Sequence, residues 1–152
     1  LQELNRITSE LRPHALNVLG LLEALKIETE KFISLTGVTC NLSLCDKIPA
    51  LHPDLATLIY RVYQEALTNI VRHSDANNVD IRFEKSGDGL SLSIKDDGVG
   101  FDIKKAYNSN SFGLTGMRER VNEWGGEFKI NGAPGKGTQV FISVPIINIE
   151  IE

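Results

Sequence analysis

Two stretches of alternating apolar residues, separated by a short polar turn, constrain the fold of this chain more than any other feature. Their apolar positions are Val79, Ile81 and Phe83, then Leu90, Leu92 and Ile94. Alternation predicts β-strands, because every second side chain of a strand points to the same face. Residues 86–89, Ser-Gly-Asp-Gly, are typical of a tight turn. The sequence therefore predicts a hairpin with one apolar face.

The patterns on both sides of this hairpin predict a two-layer domain. The predicted elements are a helical arm at 1–35 interrupted at Pro13, a strand at about 38–45, a helix from Asp54 to about Arg72, the hairpin, a helix at about 114–124, and strands near 128–130 and 140–144. Pro13 breaks the arm because proline lacks an N–H, and Asp54 is a candidate N-cap. We expect an α+β fold, a two-layer α/β sandwich with a mixed, mainly antiparallel sheet.

The composition fits one globular domain and excludes several classes of function. The chain has 152 residues, of which 41% are hydrophobic, and a formal net charge of −4. This length and apolar content allow a sizeable core. Because binding to nucleic acid needs a basic surface, no nucleic-acid partner is expected. No apolar run is long enough to cross a membrane.

Three polar residues fall on or beside the apolar face of the long helix. At about 100° per residue, Asn69 lies inside the apolar arc, Glu65 lies one turn before it, and His73 continues the same face. Such groups are costly against a core unless they meet a partner. One of them alone is more often a satisfied core group, whereas three in register favour a binding or catalytic site.

A fourth polar residue, Asp96, ends the second strand of the hairpin in the register of Ile94. Residues 97–100, Asp-Gly-Val-Gly, follow it directly. Glycine lets a ligand approach the backbone closely, so a buried carboxylate here suits a hydrogen bond from an exocyclic amine such as that of adenine. Alone, the segment is also an ordinary turn sequence.

Two further glycine segments lie near element boundaries. Residues 113–117, Gly-Leu-Thr-Gly-Met, open a helix whose free N–H groups and dipole favour phosphate. Residues 135–138, Gly-Lys-Gly-Thr, precede the last strand and by themselves predict only a hairpin turn. Neither segment is a P-loop or a dinucleotide fingerprint. The three histidines are too scattered for a zinc site.

Taken in chain order, these segments resemble the ATP-binding domain shared by sensor histidine kinases, gyrase-type ATPases, the Hsp90 chaperone and MutL. Residues 65–73 are similar to the family's N box, 96–101 to the first glycine box, 113–120 to the second and 135–138 to the third. The resemblance is greatest to kinases related to the nitrate, sugar-phosphate and membrane-fluidity sensors. It implies a Bergerat-type ATP-binding fold over nearly the whole chain.

The resemblance also implies a role for each site residue. Asn69 would coordinate the Mg²⁺ that bridges the ATP phosphates, Glu65 would hold a metal-bound water or polarise the reacting centre, and His73 would lie near the phosphates. Asp96 would accept the adenine amine, and residues 102–112 would form a short lid. The nucleotide-binding residues implied are Asp96, Gly98, Gly100, Gly113, Gly116, Met117 and Thr138.

Domain organisation and partners follow from the same resemblance. Residues 1–35 resemble the end of a dimerisation and phosphotransfer domain, 36–146 the ATP-binding catalytic domain, and 147–152 form a tail. The family's phosphoacceptor histidine precedes an acidic residue, which no histidine of this chain does. We therefore expect a C-terminal fragment that binds ATP without autophosphorylating. The expected partners are the missing phosphoacceptor helix, a second copy in the full-length homodimer, and a response regulator.

The leading expectation is thus the catalytic domain of a sensor histidine kinase, facing the cytoplasm in a full-length protein attached to a membrane. One alternative is an anti-sigma-type serine kinase of the same fold, which is less favoured because the arm resembles a dimerisation helix. Another is a nucleotide-dependent interaction module without phosphotransfer. The apolar stripe of the arm, which begins with Leu4, Ile7 and Leu11, would be exposed in a lone domain and implies a partner helix.

Overall fold

The computed structural model describes residues 13–100 and 113–146, and these form one sheet with helices on one face. The elements are α1 His14–Leu19, α2 Leu21–Thr36, β1 Thr39–Leu44, α3 Pro53–Asn69, β2 Asn78–Ser86, β3 Gly89–Asp96, α4 Leu114–Glu123, β4 Glu127–Gly132 and β5 Thr138–Pro145. A π-helical turn at Ile70–Ser74, called the π turn below, continues α3. The predicted lid and tail lie outside the described residues. None of the helices described has both the length and the apolar character of a membrane span.

The sheet contains five strands in the order β1-β2-β3-β5-β4. β1 pairs with β2 in parallel, and the remaining pairs are antiparallel. In the predicted hairpin, Ser86 lies opposite Gly89, and Val79 opposite Asp96. The expected mixed, mainly antiparallel sheet is therefore confirmed.

A single apolar cluster joins the sheet to the helices. The buried sheet residues include Val79, Ile81, Phe83, Leu90, Leu92, Ile94, Val140, Ile142 and Val144, which alternate along β2, β3 and β5. Leu58, Val62 and Ala66 of α3 are buried in the same cluster. The opposite face of β2 is exposed at alternate positions. This arrangement is the two-layer α/β sandwich predicted from the sequence.

The helical arm differs from the expectation in two respects. It breaks at Gly20, where φ is +82°, between α1 and α2, while Pro13 is the residue directly before α1. Leu16, Leu25 and Phe32 are at most 4% exposed and belong to the main cluster. The predicted exposure of the arm's apolar stripe is therefore wrong for these residues, because the chain's own core covers them. Leu4, Ile7 and Leu11 lie outside the described residues, and the division at residue 35 stays a prediction.

Two tyrosines of α3 bind α2 through their hydroxyl groups. Thr29 Oγ1 donates to the Leu25 carbonyl at 2.8 Å, so its hydrogen is used and the Tyr63 hydroxyl donates to Thr29. The Tyr60 hydroxyl donates to Glu28 Oε1 at 2.6 Å. Desolvation by burial raises the pKa of both tyrosines, so both phenols stay protonated and remain donors. These polar contacts fix α2 against α3 within the core.

The N-cap of α3 is not the residue that the sequence predicted. The predicted N-cap, Asp54, lies instead inside the first turn, where its negative charge interacts favourably with the helix dipole. His52 is the N-cap, and its Nδ1 accepts the backbone N–H of Asp54 at 3.0 Å. Pro53 occupies the first helical position, where its missing N–H costs nothing. The His52 ring also lies 5.3 Å from the Trp124 ring, centroid to centroid, which links α3 to the end of α4.

The substitution Leu25→Ala should show whether α2 is part of the domain core. Leu25 is fully buried, so we expect a loss of about 2–5 kcal/mol in the free energy of unfolding, measured by urea denaturation. Leu35→Ala is the matched control on the same helix, because Leu35 is 83% exposed and should change stability by less than about 0.5 kcal/mol. Equal effects of the two substitutions would contradict the packing of α2 described above.

Candidate functional site

β3 ends in a buried carboxylate, as the strand register predicted. Asp96 is 5% exposed, and its Oδ1 accepts the backbone N–H of Gly98 at 2.8 Å. Asp96 lies between Val79 of β2 and Thr138 of β5 in the sheet register. The predicted residues Asp96, Gly98 and Thr138 are therefore brought together at one end of the central strands.

The turn after Asp96 packs directly against the loop between β4 and β5. A Cβ atom on Gly100 would overlap the Ala133 carbonyl oxygen, and one on Gly137 would overlap the Asp96 carbonyl oxygen. The N–H of Gly135 donates to the Val99 carbonyl at 2.5 Å. The first and third glycine segments thus form one unit, in which glycine is required because backbone meets backbone.

Asp97, for which the sequence predicted no role, accepts three hydrogen bonds in this turn. Its Oδ1 accepts the backbone N–H groups of Asn77 and Asn78, both at 2.9 Å, and its Oδ2 accepts Asn78 Nδ2 at 2.8 Å. These bonds hold the pKa of Asp97 below its usual range, and the bond from the Asn78 side chain has the largest effect. The predicted hairpin contained the signal, because extending its register by one pair beyond Val79 and Asp96 places Asn78 opposite Asp97.

A second cluster forms where α3 meets the start of α4. Gly113 is the residue before α4 and has φ +66°, and a Cβ on it would lie 2.5 Å from Glu65 Oε1. Glu65 is half-buried, and desolvation raises the pKa of its carboxyl while the nearby Arg72 cation lowers it. Met117, on the next turn of α4, lines the same groove as Glu65. The structure therefore brings Glu65, Gly113 and Met117 together.

The remaining predicted residues lie on the helices that border these clusters. Asn69 is half-buried at the last position of α3, one α-helical turn after Glu65, and Gly116 is exposed on α4. Ordinary α-helical phasing predicts that His73 continues the partly apolar face of Asn69, but its side chain is at the surface. It lies in the π turn and is exposed. The physical reason is that a π turn contains more residues than an α turn, so each successive side chain lags behind the α-helical direction.

The residues on this helix fit a magnesium ion held largely by a bound nucleotide. Among the residues described, no group of three or more His, Cys, Asp or Glu side chains could hold a metal by itself. Mg²⁺ typically takes one or two protein oxygen ligands and completes its shell with phosphate and water. The Asn69 amide and the Glu65 carboxylate, one helical turn apart, offer such oxygens.

A comparison with protein families identifies the chain. Residues 54–148 match the family described as histidine kinase-, DNA gyrase B-, and HSP90-like ATPase. The chain belongs to this family. Membership implies an ATP-binding domain, in agreement with the buried Asp96 and its glycine turn. The match spans α3, the whole hairpin, α4 and the last two strands.

Similar proteins include signal transduction histidine-protein kinase/phosphatases named DegS. DegS of Brevibacillus brevis is 36% identical over 150 residues, which cover 99% of this chain and 39% of the relative. DegS of Bacillus subtilis is 35% identical over 140 residues, covering 89% of this chain and 36% of the relative. The chain thus spans less than two fifths of these relatives.

Solved structures have the same fold at lower identity. The histidine kinase domain of the Erythrobacter litoralis EL346 blue-light activated histidine kinase superposes with a TM-score of 0.70 at 23% identity, over 83% of this chain and 61% of that one. The Acinetobacter baumannii histidine kinase AdeS gives a TM-score of 0.66 at 18% identity, over 84% of this chain and 64% of that one. The two-layer fold is therefore that of histidine kinase ATPase domains.

Substitutions in the loop between β4 and β5 test the packing against Asp96. Gly135 and Gly137 both have positive φ, but only a Cβ at Gly137 meets other atoms. Gly135→Ala should lower the free energy of unfolding by about 1 kcal/mol, the cost of a left-handed L-residue. Gly137→Ala should lower it by about 2 kcal/mol more, because the Asp96 carbonyl must move. Urea denaturation of both variants measures the difference, and equal losses would show that the loop does not press on Asp96.

Proposed function

We propose that this chain is the ATP-binding catalytic domain of a sensor histidine kinase, which transfers the γ-phosphoryl group of ATP to a histidine outside this chain. The observation that carries the proposal is the buried Asp96 carboxylate at the end of β3, bound to the N–H of the glycine turn that follows it, in a chain more than a third identical to DegS kinases. A buried carboxylate beside a glycine turn suits the adenine amine, because a charge-assisted hydrogen bond is strong where water is excluded.

The phosphate side of the proposed site lies on α3, the π turn and α4. Asn69 and Glu65 would hold Mg²⁺, which supplies charge neutralisation at the phosphates. Gly113 and Gly116 at the start of α4 offer backbone N–H groups to phosphate oxygens. His73 and Arg72 are exposed and bring basic side chains to the same helix end. The raised pKa of Glu65 fits a group near the reacting centre, where perturbed carboxyls cluster.

A groove beside Glu65 is the proposed approach for the acceptor helix. It has a volume of about 430 Å³ and lies between α2, α3 and α4. Leu35 and Val71 are 83% and 55% exposed and line it together with Met117. An acceptor side chain must reach the γ-phosphate from outside the nucleotide, and Glu65 itself lines this groove. Its wall combines the apolar Leu35, Val71 and Met117 with charged side chains. A phosphoacceptor helix with an apolar face therefore fits it, and such a helix and a response regulator are the partners proposed.

Calorimetric titration with a non-hydrolysable ATP analogue tests nucleotide binding. The wild-type chain should bind more tightly with Mg²⁺, and Asp96→Asn should weaken binding of both ATP analogue and adenosine about tenfold or more. Asn69→Ala should remove the enhancement by Mg²⁺ and leave adenosine binding unchanged. Asp88→Asn, in the exposed turn at the other end of β3, is the control and should bind like wild type. A folded wild-type chain that binds no nucleotide would overturn the proposal.

Phosphotransfer can be followed by adding the purified phosphoacceptor domain of Brevibacillus brevis DegS in trans. Acid-labile, base-stable phosphate should appear on that domain, and not on the chain itself. Leu35→Glu should slow the transfer about tenfold with unchanged ATP affinity, because a charge in the groove opposes an apolar helix face. Ile33→Glu is the control, since Ile33 is 40% exposed on the same helix and does not line the groove. Nucleotide binding without phosphohistidine would favour the interaction module instead.

A further inference from the structure

Asp97 is an exposed carboxylate whose hydrogen bonds are made within the protein rather than left to water. Its two oxygens accept three donors, all from the dipeptide Asn77-Asn78. In return, the N–H of Asp97 donates to the Asn78 carbonyl at 3.2 Å. We call these three residues the Asp97 clamp. Four hydrogen bonds between two short segments that are far apart in sequence define their relative position closely.

The two sides of the clamp lead to the two sides of the nucleotide site. On one side, Asp97 directly follows Asp96, the proposed adenine acceptor. On the other side, only Asp75 and Ala76 separate Asn77 from the π turn, and Asp75 has a left-handed backbone with φ +52°. The Asn77 carbonyl also accepts the Thr39 N–H at 3.0 Å, which anchors the dipeptide to β1. Two residues therefore connect the clamp to the π turn, and so short a connection limits how far the two can move apart.

We propose that Asp97 is a positioning residue that holds Asp96 at a fixed distance from the phosphate-binding end of α3 and the π turn. This inference rests on the proposed function and extends it to a residue that need not touch the nucleotide. Exposed hydrogen bonds contribute little to global stability, because water replaces them in the unfolded chain. Their effect here is geometric, since ATP must contact both sides of the site at once whereas adenosine needs only the adenine side.

The affinities for adenosine and for Mg²⁺-ATP, measured by calorimetry on the same variants, test the clamp. Asp97→Ala removes all three acceptor contacts and should weaken Mg²⁺-ATP binding about tenfold, in the usual range of coupling between sites. It should leave adenosine binding within about twofold of wild type. Asn78→Ala removes the side-chain donor and keeps both backbone donors, so it should give a smaller loss of the same kind.

Asp80→Ala is the matched control. Asp80 is also an exposed aspartate near the clamp, and its Oδ1 accepts Asn41 Nδ2 at 2.8 Å across β1 and β2 without contacting Asp97. It should leave the affinities for both ligands unchanged. Unchanged Mg²⁺-ATP affinity in both clamp variants, or equal losses for adenosine and Mg²⁺-ATP, would overturn the positioning role while leaving the proposed function intact. A folded wild-type chain that binds neither ligand would overturn both.

Discussion

The carboxylate of Asp96 is the group on which the rest of the site depends. A charged group buried beside an apolar sheet face is unfavourable unless donors reach it, and here the Gly98 N–H does so at 2.8 Å. That bond requires the chain to turn immediately after β3. This turn also packs Gly100 against Ala133 and lets the Val99 carbonyl accept the N–H of Gly135. One buried acid therefore determines the path of two loops that are distant in sequence.

α3 connects this strand end to the core of the domain. Its buried face, including Val62 and Ala66, packs in the main cluster, while the half-buried Glu65 and Asn69 lie at the margin of that face. Tyr60 and Tyr63 on the same helix bind α2 through Glu28 and Thr29. Site residues carried by a helix fixed on two sides have little freedom to reorient, which is what positioning of a nucleotide requires.

The sequence predicted those parts of the fold that depend on local periodicity. The two strands of the hairpin and the polar position of Asp96 followed from alternation, and Gly113 correctly marked the start of α4. The burial of Leu25 and Phe32 did not follow, because an apolar helical stripe predicts a contact without naming the surface that covers it. The exposed position of His73 was missed for a different reason. A π turn arises from hydrogen bonding beyond the α-helical pattern, and no residue type marks it reliably.

The two sides of the site differ in what holds them. On the adenine side, backbone packs on backbone at Gly100 and Gly137, so even one added carbon requires a strand end to move. On the phosphate side, the close neighbour of Gly113 is the end of the Glu65 side chain, which can rotate. Adjustment to a ligand is therefore less costly at Glu65 than at Asp96. A rigid acceptor for the base combined with an adjustable carboxylate near the phosphates suits a site whose chemistry occurs at one end of its ligand.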